Sequence, residues 1–369
     1  MCTDPVDPTP ADPSTLAELG VYDPAAGDAA QRLELLEFLV SLGATEDELV
    51  EYRDSLPLLA GALAIRGGPV LTVDEVAERA GLSAKEVRRL VRVAGLPDPE
   101  PGARVLTEGF VELAAGMSEV STVFGEDAGH QLLRVLGSAM ARVGDAATSA
   151  FLVNVGPAAF RDSAGLGLAR ASVDAASLIP WVAPALDTLF RQQLLLAQRN
   201  LDSDADQLGV DAQPLVVGFV DLVGSTALSE NLSVRELGVA LGTFENVTTD
   251  TVTAGGGRVI KLIGDEVMFT APDARSAAAI ALDLADAFDE HPIVPPVRAG
   301  LAGGQVLLRD GDVFGPVVNL AARAVKVARP GTVVATAEVA FDSGLTYKPC
   351  GPQRLKGFSD QIELYRLIR

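Results

Sequence analysis

The chain has 369 residues, 48% of them hydrophobic and 21% charged, which is a globular composition and excludes a disordered chain. The formal net charge of −21 argues against a whole-chain polyanion binder, because proteins that neutralise phosphates carry excess Lys and Arg. Residues 1–205 hold 15 basic and 30 acidic side chains (net −15), and residues 206–369 hold 14 and 20 (net −6), so two chemically distinct halves are expected.

The expected order is a disordered tail (1–13), an all-α domain (14–200), a linker (201–214) and an α+β domain (215–369). The tail, MCTDPVDPTPADP, has no basic n-region or apolar core and does not read as a signal peptide. Cys2 and Cys350 are the only cysteines, too few for a disulfide framework or a Cys-based zinc site, and they suggest a cytoplasmic protein. Helix signals then dominate. Leu33, Leu35, Leu36, Leu39 and Val40 recur at helical spacing. Thr45 with Glu48, Thr72 with Glu75, and Ser83 with Glu86 spell capping boxes.

The stretch LTVDEVAERAGLSAKEVRRLVRVAGLP, 71–97, predicts two short helices joined around Gly81, a helix-turn-helix shape. Lys85, Arg88, Arg89 and Arg92 form one basic stripe on the second helix. Such a stripe is either a DNA recognition helix or a solvated face paired to acidic neighbours. The acidity of this half favours the second, so nucleic acid is not the expected partner. Further helices are predicted at 128–143 and 166–190, with 185–200, just after Pro184, leading out of the domain. The apolar 166–190 stretch reads either as ordinary core or as a site for an apolar ligand. No uninterrupted apolar run reaches the roughly 18 residues that span a bilayer, because Pro180, Pro184 and Asp187 interrupt the longest one, so no membrane partner is expected.

After Pro214 the pattern changes. LVVGFVDL, 215–222, suits a strand buried on both faces, with Asp221 near its end. Val223-Gly224-Ser225-Thr226 and a helix to about residue 250 follow. Residues 258–262 and 267–270 predict a β-hairpin turning at Ile263-Gly264-Asp265. A helix (274–288), a strand (297–302), a polar hairpin at 310–312, a helix (317–327) and short closing strands complete a ferredoxin-like βαββαβ order. A carboxylate buried on a strand needs a partner or a metal. Asp221 and Asp265 beside a Gly-Ser-Thr turn suit two divalent cations held against phosphates.

Three ordered motifs, FVDLVGST at 219–226, KLIGDE at 261–266 and DVFGPVVNLAAR at 312–323, together resemble the class III nucleotidyl cyclases over about residues 212–369. The resemblance implies the class III cyclase fold and an adenylyl cyclase requiring two Mg²⁺ or Mn²⁺ ions per site. It implies that Asp221, Asp265 and the carbonyl of Leu222 hold metal, and that the amides of Val223, Gly224, Ser225 and Thr226 cradle the triphosphate. Lys261 and Asp312 match the pair that reads the base, Asn319 and Arg323 the pair acting on the transition state, and Lys356 in the LKG motif a triphosphate-binding lysine. It also implies a homodimer whose sites are shared between chains.

The residue chemistry agrees. Lys261 can donate to adenine N1 and Asp312 can accept from N6, whereas guanine presents the opposite polarity, so ATP is expected over GTP. Asn319 and Arg323 are four apart and share a helix face. The helical half resembles the regulatory domains that precede such cyclases in actinobacteria, which implies regulation, often autoinhibition, with pH as one input. Its acidity suggests carboxylates with raised pKa values, and His130 is either a surface histidine or a single switch. The only other histidine is His291, which excludes a histidine cluster as the sensor. Two alternatives stand beside this reading: a catalytically inactive nucleotide-binding regulator, and a cyclase that also binds DNA through residues 71–97.

Overall fold

The computed structural model describes residues 12–155, 165–202 and 212–368. The chain divides into two compact units, Met1–Asp204 and Ala205–Arg369. The first carries helices α1 (Pro13–Glu18), α2 (Ala29–Ser41), α3 (Glu46–Glu51), α4 (Leu56–Arg66), α5 (Val73–Ala80), α6 (Ala84–Val93), α7 (Gly109–Phe124), α8 (Glu126–Asn154), α9 (Leu166–Ala176) and α10 (Ile179–Asp202). The expected capping boxes close at α3, α5 and α6, where each side-chain oxygen accepts from the amide three residues on and each glutamate accepts in return. Two cores result. Leu35, Leu36 and Leu39 of α2 and Leu56, Leu59 and Leu63 of α4 pack with Leu166 and Ala169 of α9. Val76, Val87, Leu90, Val91, Phe110 and Leu133 join α5 to α8.

The structure corrects several expectations. Most of the 1–13 tail lies outside the described residues, but Asp12 and Pro13 start α1, with Asp12 accepting from the Ser14 amide. The first unit is not wholly helical, because β1 (Val70–Leu71) pairs antiparallel with β2 (Leu106–Thr107). That ribbon ties the start of α5 to the chain leaving the helix-turn-helix. Arg104 pins it, donating to the Val70 carbonyl at 3.1 Å and to Glu75 at 3.0 Å.

Pro184 does not precede the last helix but lies inside α10. Its absent N–H would have served Pro180, in the first turn, so the helix forgoes one bond and continues. As a result the helical residues within Leu166–Gln198 are, by length and composition, apolar enough to cross a membrane, with a mean hydropathy of 1.2 and none of the window buried. Of the 166–190 stretch, Leu166 and Ala169 enter the expected core, whereas Leu178, Trp181, Leu189 and Phe190 are exposed.

The second unit carries β3 (Ala212–Leu222), α11 (Ser225–Asn231), α12 (Val234–Ala254), β4 (Arg258–Ile263), β5 (Glu266–Ala271), α13 (Ala274–Ala287), β6 (Val297–Arg309), β7 (Asp312–Phe314), α14 (Pro316–Val327), β8 (Val333–Thr336), α15 (Ala337–Asp342), β9 (Thr346–Gln353) and β10 (Ile362–Ile368). The sheet order is β4-β5-β3-β6-β8-β10-β9, with β7 on β6. β4, β5, β3 and β6 pair antiparallel with one another, which is the expected ferredoxin-like core, and β6 pairs parallel with β8 on its other side. Part of the expected linker, 203–211, lies outside the described residues, while Gln213 and Pro214 extend β3 by pairing with Val306 and Gln305. Pro214 is tolerated there because pairing to β5 starts only at Val216, leaving one edge open.

Strand alternation sorts the core. Val216, Val220 and Leu222 face α12 and α13 with Phe244, Phe269 and Ile280. Val217 and Phe219 face α14 with Met268, Ala321 and Val325. Gly300 lets α14 lie on the sheet, since a Cβ there would stand 2.2 Å from the Val325 amide nitrogen and 2.8 Å from the Ala321 carbonyl oxygen. Gly300→Ala is expected to lower the unfolding free energy of this unit by about 3 kcal/mol in a urea titration, because backbone on both sides must move.

Candidate active site

The odd-numbered positions of β3 face α14, so Asp221 follows Val217 and Phe219 onto that face. Its register partners are Glu266 on β5 and Arg298 on β6. Three charged side chains therefore form one row across three strands. Asp221 is only 3% exposed. Arg298 Nε and Nη2 donate to Asp221 Oδ2 at 2.8 and 2.5 Å. Lys326 of α14 adds its Nζ at 3.2 Å from the same oxygen and 3.5 Å from Glu266 Oε1. Burial pushes the Glu266 carboxyl above its ordinary pKa, with Lys326 pulling the other way and Asp221 and Asp265 adding repulsion.

Asp265 follows Gly264 in the β4–β5 turn, where Gly264 takes φ +65°. The Leu222 N–H donates to the Asp265 carbonyl at 3.0 Å, which docks the turn against the end of β3 and brings both aspartates to one place. Gly224, at φ +76°, turns the chain into α11. The Val223 amide donates to the Pro296 carbonyl at 3.0 Å and is not free for a phosphate. That amide is one of the four expected to receive phosphate, with those of Gly224, Ser225 and Thr226.

Lys261 and Asp312 meet as expected. Lys261 Nζ donates to Asp312 Oδ2 at 2.6 Å, while Asp312 Oδ1 accepts from the Val313 amide at 2.8 Å. Lys261 pairs in register with Met268 and so lies on the same sheet face as Asp221. Asn319 and Arg323 are exposed on α14, and Lys356 is exposed between β9 and β10. Among the described residues no hydrogen bond or ion pair joins Lys261–Asp312, Asn319, Arg323 or Lys356 to Asp221 or Asp265.

Among the described residues no three His, Cys, Asp or Glu side chains converge as a metal cage. The donors still fit a divalent cation that arrives with phosphates, because Mg²⁺ is usually held by one or two carboxylates plus substrate oxygens. Glu266 Oε1 is buried beside Asp221 without a hydrogen-bond partner, with the Lys326 ammonium 3.5 Å away, and leaves an acceptor unsatisfied at this spot. Sequence reasoning missed Arg298 and Lys326. An arginine in the otherwise apolar strand opposite Asp221 was the available signal for the first.

In the first unit, Arg88 and Arg92 pair with Asp98 at 2.9 Å and Arg89 pairs with Glu126, so most of the basic stripe is neutralised within the chain. His130 is buried, which corrects its reading as a surface histidine, and its Nδ1 stands 4.0 Å from Glu126 Oε1. His291 caps a turn through Nδ1, accepting from the Ile293 and Val294 amides.

The raised carboxylates expected of the acidic half are not found among its resolved shifts. Asp12, Glu86 and Asp187 are held down by Ser14, Ser83 and Arg191. Glu75 and Asp98 are held down by the Thr72 amide and Arg88. Burial pushes Glu48 up, but the Thr45 amide and Arg66 outweigh it and leave it lowered.

The sequence profile described as "Adenylate cyclase regulatory domain" matches residues 19–200. An uncharacterized protein of Mycobacterium tuberculosis is 35% identical over 354 residues, covering 93% of this chain and 92% of its own. An adenylate cyclase of Streptomyces coelicolor is 34% identical over 288 residues, covering 76% and 74%. A Mycobacterium tuberculosis protein named pH-sensitive adenylate cyclase is 29% identical over 368 residues, covering 92% and 88%.

Arg298→Met is expected to destabilise the second unit by about 3 kcal/mol in equilibrium unfolding, because it strips the best-placed partner from a buried carboxylate. An unchanged midpoint would show that Lys326 alone satisfies Asp221.

Proposed function

This chain belongs to the adenylate cyclases that carry an N-terminal regulatory domain, and we propose that it converts ATP to 3′,5′-cyclic AMP and pyrophosphate. The carrying observation is the Lys261–Asp312 pair, a donor and an acceptor held together at 2.6 Å on the sheet face that bears Asp221. Each exchanges its partner for the adenine edge, Lys261 donating to N1 and Asp312 accepting from the N6 amino group. Guanine would set donor against donor and acceptor against acceptor, at a cost of about 1–3 kcal/mol for each mismatch.

In the reaction the ribose 3′-oxygen bonds to the α-phosphorus as the bond to the β-phosphate oxygen breaks, and the hydroxyl proton is released. Asp221, Asp265 and the Leu222 carbonyl would hold divalent cations, Mg²⁺ or Mn²⁺, which supply Lewis-acid polarisation of the phosphates when bound. The amides of Gly224, Ser225 and Thr226 receive phosphate oxygens at the start of α11. Arg323 neutralises charge building on the α-phosphate and the leaving pyrophosphate, and Asn319 orients the ribose. Lys356 supplies a further charge to the triphosphate. The nucleophile belongs to the substrate, so positioning and electrostatics carry most of the acceleration.

Among the described residues no hydrogen bond or ion pair joins Asn319, Arg323 or Lys261 to Asp221 or Asp265 of their own chain, which favours a homodimer with each site assembled from two copies. The exposed apolar side chains of α10, Trp181, Leu189 and Phe190 among them, support a second copy as a neighbour. The test is an assay with ATP or GTP and Mg²⁺ or Mn²⁺, read as cyclic nucleotide. Predominant cyclic AMP is expected, and Lys261→Ala should lower kcat/KM for ATP about 10- to 100-fold while narrowing the ATP/GTP ratio. Mixing Asp221→Ala with Arg323→Ala, each inactive alone, should restore activity. A mixture that forms heterodimers and stays inactive would refute the shared site.

One observation favours pH as the regulatory input. Buried His130 faces Glu126 on its own helix, with Glu86 and Arg89 from α6 and Ser118, Ser121 and Thr122 from α7, around a cleft of about 320 Å³. His130→Gln in the full chain is expected to change how activity depends on pH, read as cyclic AMP formed by parent and variant side by side. An unchanged profile would place the sensing elsewhere.

A further inference from the structure

Lys326 has no part in the reaction as derived above. It is three residues after Arg323 and seven after Asn319 on α14, so the three share one helical stripe. Seven residues of helix span roughly 10 Å. The Lys326 end of the stripe therefore reaches Asp221 of its own chain while the Asn319 end lies far beyond it. Two cations share one carboxylate here. Arg298 is fixed by strand register, donates twice, and has a side chain only 28% exposed. Lys326 makes one longer contact, and its side chain, 47% exposed, is free to swing on a flexible stem. Glu266 gives it somewhere to swing, since Glu266 Oε1 is buried, has no hydrogen-bond partner and lies 3.5 Å from the ammonium.

We propose that Lys326 is a tethered counter-ion that competes with the divalent cation for Asp221, so that metal entry and the retreat of Lys326 to Glu266 are one exchange. The inference rests on the reading of Asp221 as a metal-holding residue. Its physical basis is charge balance. Metal-free Asp221 is buried and would be under-compensated if only Arg298 held it. With a divalent cation and Arg298 both present, a third positive partner on the same oxygen is repelled. Glu266 keeps that displaced charge within the site, so the exchange costs less than expelling Lys326 into water. A lysine present only as a surface ion pair would have no such effect on metal affinity.

The test is a Mn²⁺ titration of the nucleotide-free full chain, following free Mn²⁺ by electron paramagnetic resonance. Lys326→Met should bind Mn²⁺ at least about fivefold more tightly than the parent, and Lys326→Arg, which keeps the charge, should stay near the parent. Methionine is a good helix former at this exposed position, and an unchanged circular dichroism melt would show that the fold is kept. Equal Mn²⁺ affinity in the parent and Lys326→Met would overturn the proposal. So would a gain in Lys326→Met that survives addition of Asp221→Asn, because the ion would then not be at Asp221. If neither the parent nor Lys326→Met binds Mn²⁺, the metal-holding role of Asp221 fails first, and the counter-ion role fails with it.

Discussion

A carboxylate at the end of a strand buried on both faces cannot stand alone, and the arrangement of the second unit follows from how Asp221 is compensated. β3 alternates apolar side chains toward two helical layers, so a one-residue slip would carry Asp221 from the α14 face into the apolar α12–α13 core. Its register with β5 and β6 sets Glu266 on one side and Arg298 on the other. α14 must then lie close enough for Lys326 to reach, which requires the bare surface of Gly300. Strand register, a glycine and a helix position thus serve one charge.

That constraint also resolves how a chain with net charge −21 could take a polyanionic substrate. The acidity is concentrated in the first unit, where serine and threonine caps and arginine pairs hold the shifted carboxylates ionised. On the sheet face of the second unit cations and acids are matched. Lys261, Arg298 and Lys326 stand there, each paired to an acid. Net charge describes the long-range field, while a site of this kind depends on which cations can exchange a carboxylate for a phosphate.

What was legible in the sequence was local. Capping boxes at Thr45, Thr72 and Ser83, the strand ending in Asp221 and the turn at Gly264-Asp265 each depend on residues a few positions apart, and each formed. Arg298 and Lys326 were not legible, because their partner is fixed by tertiary register. The two-residue strands Val70–Leu71 and Leu106–Thr107 are too short to show alternation. Pro184 and Pro214 misled for a common reason. Each was read as a boundary, yet each sits where its missing N–H is little needed, in the first turns of a helix or on a strand's open edge. The direction of the carboxylate shifts in the first unit was misread because charge density was counted and hydrogen-bond partners were not.

The stripe Asn319–Arg323–Lys326 gives α14 two assignments at once. Its last member already touches the carboxylates of its own chain, while its first two are exposed and bonded to nothing among the described residues. In the proposed dimer those two serve the partner's substrate. Any movement of Lys326 off Asp221 would then occur on the same rigid helix that carries Arg323. One turn of helix thus separates the residue that answers to the metal-holding carboxylates of its own chain from the one proposed to serve the partner's substrate.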